Sequence, residues 1–181
     1  MDAPDWLKAA RDQWTNRGQV RPPFAEESGP GQESVWDYPR PLAVVPDDRL
    51  VEVRDGAGAL VARAERSIRV LETSHPPSFY LPPESLVEGA LGPTGGSSHC
   101  EWKGQAEYLA LAGTDHPVAW RYPRPYPEFA DHAGWVAFYP DRVSCTVDGG
   151  AVRPQPGGFY GGWITDDVVG PFKGDPGTGS W

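Results

Sequence analysis

The sequence has only two cysteines and one methionine, and basic residues are few. Sixteen lysines and arginines stand against 25 aspartates and glutamates, which gives a formal net charge of −9. Because nucleic acids and anionic membrane surfaces repel a negative protein, neither is expected as a partner. No apolar run approaches the roughly 20 residues that a membrane helix needs, and the acidic N-terminus does not resemble a signal peptide. We therefore expect a cytoplasmic protein.

Motifs that bind metals or nucleotide cofactors are also missing. The two cysteines are 45 residues apart, and no Cys-x-x-Cys or His-x-x-x-His spacing occurs among the cysteines and four histidines. Zinc sites depend on such closely spaced ligands. No Gly-x-Gly-x-x-Gly links a strand to a long helix, and the glycine-rich segment 170–179 lacks the order of a phosphate-binding loop. The sequence therefore predicts no metal and no cofactor.

Glycine and proline are abundant, with 22 and 21 residues, and so are aromatic side chains, with eight Trp, seven Tyr and six Phe. Glycine and proline predict many turns, while the aromatic residues can fill a core. A chain of 181 residues is long enough to bury such a core in one domain.

Alternation of apolar and polar residues predicts short antiparallel strands. Segments 51–54 and 60–64 flank an Asp-Gly-Ala-Gly turn, which is typical of a hairpin. Further strands are predicted at 67–72, 106–112, 118–122, 134–139 and 142–148. Helices are predicted at 4–17 and 83–91, with one helical turn at 165–169. The expected fold class is mainly β, with an N-terminal helix and short helical turns.

The first 34 residues differ from the rest of the chain. Residues 4–17 carry Trp6, Leu7, Ala10 and Trp14 on one helical face, and residues 19–34 show little periodicity. We therefore divide the chain into a helix and extended arm at 1–34 and a β domain at 35–181. The apolar helix face can dock on its own chain or on a second subunit, so a homodimer is an open alternative.

Five separated segments resemble the family catalogued as domain of unknown function 427, in the family's order. They are residues 31–41, which include Trp-Asp-Tyr-Pro-Arg-Pro, then 71–82, 100–108, 119–122 and 136–139. The resemblance covers roughly residues 34–181. It implies twisted antiparallel sheets resembling the β-tent fold of methionine sulfoxide reductase B and the thalidomide-binding domain of cereblon. Many such proteins hold zinc on two cysteine pairs, which this chain lacks, so their activities transfer only by analogy.

Glu72 is the most informative residue because it breaks a strand pattern. Parity places Ile68, Val70 and Glu72 on one face, where a third apolar side chain is expected. A carboxylate there needs a partner, and Lys103, next to Trp102, is the predicted one. The pair is either a structural ion pair or a catalytic pair, in which Lys103 acts as acid, base or imine-forming nucleophile and Glu72 relays the proton.

Aromatic residues close to these motifs are candidate walls of a cleft. The predicted substrate-binding residues are Trp102, Tyr108, Trp120 and Tyr122, and Tyr80 is predicted to assist catalysis. For each of them, core packing is the alternative, because large aromatic side chains dominate small β cores.

Two functions fit these residues. The first is a cofactor-independent enzyme that acts on a small organic molecule by acid/base or imine chemistry, with Lys103, Glu72 and Tyr80 as its catalytic residues. The alternative is a non-catalytic module that binds or senses a small molecule in the same cleft. A third interpretation is a purely structural dimer formed through the N-terminal arm. Separately, Cys100 is either an activated thiolate or a buried core thiol. The pKa of Lys103 distinguishes the first two, because a catalytic base or nucleophile titrates near neutrality.

Overall fold

Strands make up most of the regular structure. The computed structural model describes residue 7 and residues 11–181. Its strands are β1 (Glu33–Ser34), β2 (Ala43–Asp47), β3 (Val51–Arg54), β4 (Leu60–Ala64), β5 (Ser67–Leu71), β6 (Ser78–Tyr80), β7 (Leu91–Cys100), β8 (Gly104–Leu111), β9 (Pro117–Arg121), β10 (Val136–Phe138), β11 (Ser144–Val147), β12 (Gly150–Ala151), β13 (Arg153–Pro154), β14 (Trp163–Ile164) and β15 (Val168–Val169). Short 3-10 helices lie at Val35–Asp37, Pro83–Ser85 and Pro127–His132. The mainly β class is confirmed.

β3 and β4 form the predicted hairpin. Val53 lies opposite Ala62 across the pair, and the Asp55 carboxylate accepts hydrogen bonds from two backbone amides of the turn. β11 and β12 extend this sheet in the order β12-β11-β3-β4. Cys145, predicted to face the core, lies opposite Val53 and is buried. Local alternation thus predicts the hairpin and the inward side of Cys145.

A second antiparallel sheet has the order β10-β9-β8-β7. Tyr108 on β8 lies opposite Trp120 on β9, which in turn lies opposite Ala137 on β10. Residues directly opposite each other share one face of a sheet. The pairing therefore places Tyr108 and Trp120, both predicted site residues, side by side.

The third sheet, with the order β2-β5-β6, carries the other half of the site. Ile68 on β5 lies opposite Tyr80 on β6, and Glu72 follows directly after β5. Beyond β6, Leu81 and Val136 exchange two backbone hydrogen bonds of 2.8 and 2.9 Å. These bonds connect the third sheet to the edge of the second, so Glu72 and Tyr80 approach Trp120.

Two of the three apolar clusters of the described residues border the second sheet. The larger one packs the β3–β4 hairpin against the second sheet and contains a stacked pair, Phe79 and Trp163, with ring centres 4.9 Å apart. The second cluster is more aromatic and includes Tyr80, Trp120 and Phe129. Tyr80 and Trp120 of this cluster line a cavity, whereas Phe129 does not.

Of two further helical predictions, the helix at 83–91 is wrong and the turn at 165–169 is confirmed only in part. Of the helix expected at 83–91, only the 3-10 turn Pro83–Ser85 forms, because the chain beyond it pairs with β4, where Val87 donates to the carbonyl of Val61 at 2.9 Å. Of the turn expected at 165–169, one bond from Val168 to the carbonyl of Thr165 forms, and then β15 pairs in parallel with β1. Sheet pairing overrides local helix signals in both places.

The N-terminal region lies partly outside the described residues. Of the helix predicted at 4–17, Leu7, Arg11 and Asp12 have helical backbone, and residues 4–6 and 8–10 fall outside the described part. Further along, Phe24 stacks on Trp181 with ring centres 5.1 Å apart. The division of the chain at residue 34 stays a prediction. No helix among the described residues is both long and apolar enough to cross a membrane.

Candidate functional site

A cavity of about 660 Å³ opens between the second and third sheets. Its walls come from the end of β5, from β6, from the turn between β7 and β8, from β8 and β9, and from segment 158–161. Cavities of roughly 300–1,000 Å³ are the usual size for small-molecule sites. All seven residues predicted for the site line it, namely Glu72, Tyr80, Trp102, Lys103, Tyr108, Trp120 and Tyr122.

Lys103 lies in the tight turn that joins β7 to β8. Gly104 follows it with a φ of +101°, a backbone conformation that favours glycine, and pairs with Cys100 across the turn. Lys103 is only 8% exposed, and its Nζ lies 5.7 Å from the ring centre of Tyr122. Among the described residues, no carboxylate oxygen lies within 4.0 Å of Nζ.

The ammonium form of Lys103 is stabilised by its polar neighbours. Burial alone would lower the pKa of Lys103, because it disfavours the charged form. Cys100, Tyr80 and Glu72 oppose this effect, and the net direction of the pKa is upward. Lys103 is therefore an ammonium ion at neutral pH, able to donate hydrogen bonds into the cavity.

Glu72 pairs with Arg40. The Nε of Arg40 lies 3.2 Å from Oε1 of Glu72, and the guanidinium also donates to the carbonyls of Thr73 at 2.9 Å and Asn16 at 3.2 Å. The sequence predicts Lys103 as the direct partner of Glu72, and the structure corrects this partner to Arg40. The planar guanidinium of Arg40 donates to three acceptors at once. Burial would raise the pKa of Glu72, but nearby cations lower it on balance, so Glu72 is a carboxylate.

Tyr80 holds Trp120 in place. The indole Nε1 of Trp120 donates to the Tyr80 hydroxyl at 3.0 Å, and the two rings meet edge to face. Trp120 also contacts Tyr139, with ring centres 4.5 Å apart, and a Cβ at Gly161 would lie only 2.2 Å from the indole. Burial raises the pKa of Tyr80, so its hydroxyl is neutral. Trp120 is therefore a rigid wall of the cavity.

We expect Tyr80→Phe to lower the free energy of unfolding by about 1–2 kcal/mol, because it leaves the buried Trp120 N–H without an acceptor. Urea unfolding monitored by tryptophan fluorescence measures this loss. Tyr108→Phe is the matched control, because the Tyr108 side chain is only half-buried and its hydroxyl makes no hydrogen bond with a described residue. Equal losses in the two variants would contradict the role assigned to Tyr80.

Trp102 and Tyr122 border Lys103. The Nε1 of Trp102 is buried and has no hydrogen-bond partner among the described residues. The Arg11 guanidinium lies 4.5 Å above the ring of Trp102, which holds the ring from the side of the N-terminal segment. Burial raises the pKa of Tyr122, so it is neutral like Tyr80.

His75 and Gln155 are cavity residues that sequence reasoning missed. The Gln155 amide accepts from the N–H of Gly162 at 3.1 Å and donates to the carbonyl of Lys173 at 2.7 Å, so its orientation is fixed. Its second amide hydrogen therefore goes to Nδ1 of His75 at 3.0 Å, which places the ring proton on Nε2. Burial lowers the pKa of His75 to about 4, so the ring is neutral.

Lys173 and Trp14 were also missed as cavity residues. The Nζ of Lys173 lies 4.2 Å from the ring centre of Trp14 and donates to the carbonyl of Trp181 at 2.9 Å. Trp14 donates from Nε1 to the Glu101 carboxylate at 2.9 Å. A lysine in the glycine-rich segment 170–179 and a tryptophan near the N-terminus carry no local signal of a shared site.

Metal ligands are not gathered in the described part of the chain. There, no group of three or more His, Cys, Asp or Glu side chains is placed to hold a metal ion. Cys100 and Cys145 are free thiols, and Cys100 lines the cavity.

The family model described as "Domain of unknown function (DUF427)" matches residues 43–149. The match includes all seven predicted site residues and His75, while Trp14, Gln155 and Lys173 lie outside it. No curated protein matches this sequence. Because the matched segment is more than half of the chain and carries four of the five motifs of the predicted resemblance, the chain belongs to the domain of unknown function 427 family.

Proposed function

We propose that the chain is a cofactor-independent enzyme that binds a small organic molecule in this cavity and uses the Lys103 ammonium to stabilise negative charge on it. One observation carries the proposal. Lys103 is a buried ammonium in an aromatic cavity, with no carboxylate of the described residues within 4.0 Å. A buried charge without a close counter-charge is costly to a fold, and a substrate with developing negative charge offsets that cost.

The protonation states of the site narrow its chemistry. Imine formation requires a free amine, whereas the raised pKa of Lys103 favours the ammonium. Stabilisation of a developing oxyanion needs no proton transfer from the ammonium and is a large contribution in many enzymes. In this proposal Lys103 stabilises charge, the Glu72 carboxylate accepts a proton, and Tyr80 orients Trp120 against the substrate.

The second candidate is a module that binds or senses a small molecule without converting it. Its support is that the pKa of Lys103 is raised and the pKa of Glu72 is lowered, so both pKa values lie far from neutral pH. Groups that transfer protons efficiently titrate near the working pH, whereas fixed charges suit binding. Only turnover distinguishes this candidate from the enzyme, because both use the same cavity.

The proposal is tested by Lys103→Met in a fragment screen observed by ligand NMR. We expect fragments that bind the wild-type cavity to lose affinity at least about tenfold in the variant. We also expect an unchanged or higher melting temperature, because the substitution breaks no ion pair and removes a buried charge. The matched control is Arg121→Met, which removes a half-exposed cation from β9 outside the cavity and should leave binding unchanged.

Conversion is measured in the same samples, by following the fragment spectra over a day. Chemical change in the wild type but not in Lys103→Met supports the enzyme, and tight binding without change in either protein supports the binding module. Binding that Lys103→Met leaves intact would overturn both. A variant that is unfolded at room temperature would assign Lys103 a purely structural role.

We also propose the β-tent arrangement for the three larger sheets and a helix over residues 4–17. The junction between the third and second sheets at Leu81 and Val136, and the helical backbone of Leu7, Arg11 and Asp12, support these proposals. A cytoplasmic location and a homodimer formed through the N-terminal helix stay predictions.

A further inference from the structure

The cavity is positively charged inside an acidic protein. Among the described residues, three cations and two carboxylates line it, namely Lys103, Lys173, Arg142, Glu72 and Glu101. Two of these groups have ion-pair partners outside the lining, Arg40 for Glu72 and Asp141 for Arg142. With or without these partners, the side chains of the described lining residues carry one positive charge in excess, although the whole chain has a net charge of −9. The excess charge is a property of this cavity, not of the protein surface.

The two lysines are the buried part of this charge. Lys103 is 8% exposed and Lys173 is 3% exposed, and no Asp or Glu carboxylate of the described residues lies within 4.0 Å of either Nζ. Lys173 donates one hydrogen bond, to the Trp181 carbonyl, which leaves two of its ammonium hydrogens without a described acceptor. A ligand that brings acceptor oxygens and a negative charge would satisfy both lysines.

Two neutral donors accompany the lysines. The buried indole N–H of Trp102 has no acceptor among the described residues. The ring proton of His75 is on Nε2, because Gln155 donates to Nδ1, and no described residue accepts from Nε2. Both residues line the cavity, where N–H groups without partners favour an oxygen-bearing ligand.

Flat walls restrict the shape of the ligand. Trp120 is held by the Tyr80 hydroxyl, by the ring of Tyr139 and by the close approach of Gly161. Tyr108 lies opposite Trp120 on the neighbouring strand and lines the same cavity. Fixed aromatic faces pack best against a planar molecule.

From these observations we infer that the ligand of this cavity is a small planar organic anion, a conjugated carboxylate whose oxygens contact Lys103 and the neighbouring N–H donors while its ring packs along Trp120. This inference rests on the proposed function and adds the class of substrate. Every hydrogen-bond donor and every aromatic side chain that this inference uses belongs to the chain itself.

The experiment compares four probes on the unmodified full chain by isothermal titration calorimetry. Benzoate is the planar anion, benzamide its neutral counterpart, benzamidine its cationic counterpart, and cyclohexanecarboxylate an anion without a flat ring. We expect benzoate to bind at least about tenfold more tightly than each of the other three. In Lys103→Met, benzoate affinity should fall to that of benzamide, while benzamide affinity stays the same.

The outcomes separate this inference from the proposed function. Equal affinity for benzoate and benzamide, or preference for benzamidine, would overturn the anion class while leaving a small-molecule cavity. Equal affinity for benzoate and cyclohexanecarboxylate would overturn the planar class. Failure of all four probes overturns the inference, and the proposed function falls with it only if the fragment screen also finds no ligand that depends on Lys103.

Discussion

Arg40→Met should lower the free energy of unfolding by about 3 kcal/mol, the largest loss predicted here for a single substitution. The Arg40 side chain is almost fully buried and serves three acceptors, the Glu72 carboxylate and the carbonyls of Thr73 and Asn16. Methionine fills similar space but leaves the Glu72 carboxylate without its ion-pair partner. An unpaired buried charge costs more than the pair contributed.

Urea unfolding at pH 7 measures the loss, and a double variant tests its cause. Arg40→Met combined with Glu72→Met removes both charges, so we expect it to recover a large part of the lost stability. Arg121→Met is the control, because its partner Glu107 is half-exposed and solvent screens that pair. If the double variant is less stable than Arg40→Met alone, the loss comes from packing and not from an unpaired Glu72.

The free energy of unfolding should fall as the pH drops from about 6.5 to about 4, and protonation of His75 should account for about 2 kcal/mol of this loss. Burial lowers the pKa of His75 in the folded chain to about 4. The unfolded ring takes up a proton near its ordinary pKa of about 6.5, so the unfolded state binds more protons in this window. A difference of this size between the folded and unfolded pKa of His75 corresponds to about 3 kcal/mol of unfolding free energy. We expect a smaller loss, because the ring borders a water-accessible cavity.

Unfolding free energies at pH 7 and pH 4.5 measure this effect in the wild type and in His75→Gln. The variant should lose less stability between the two pH values, because glutamine does not titrate. His132→Gln is the control and should keep most of the wild-type loss, since His132 is less deeply buried than His75. An equal loss in the wild type and His75→Gln would show that other groups set the acid sensitivity.

Local pattern determined much of this fold. The β3–β4 hairpin follows from alternation on both sides of an Asp-Gly turn, and the inward side of Cys145 follows from strand parity. Glu72 was identified because a carboxylate interrupts an apolar face, and the structure places both Val70 and Glu72 on the cavity wall. Apolar–polar alternation and turn-forming residues involve only neighbours along the chain, so both can be recognised in a single sequence.

Tertiary contacts decided the ion-pair and hydrogen-bond partners of the cavity residues. Glu72 is paired by Arg40 from 32 residues earlier, and His75 is fixed by Gln155 from 80 residues later. Pairing with β4 likewise replaced the helix expected at 83–91, and the glycine-rich strand β7 lacks the alternation that would have predicted it. Local periodicity specifies which face a side chain takes, but not which distant segment meets that face. The sequence by itself therefore determined the alternating strands and pointed to seven residues that line one cavity, while packing between sheets decided the remaining strands, the ion pairs and the tautomer of His75.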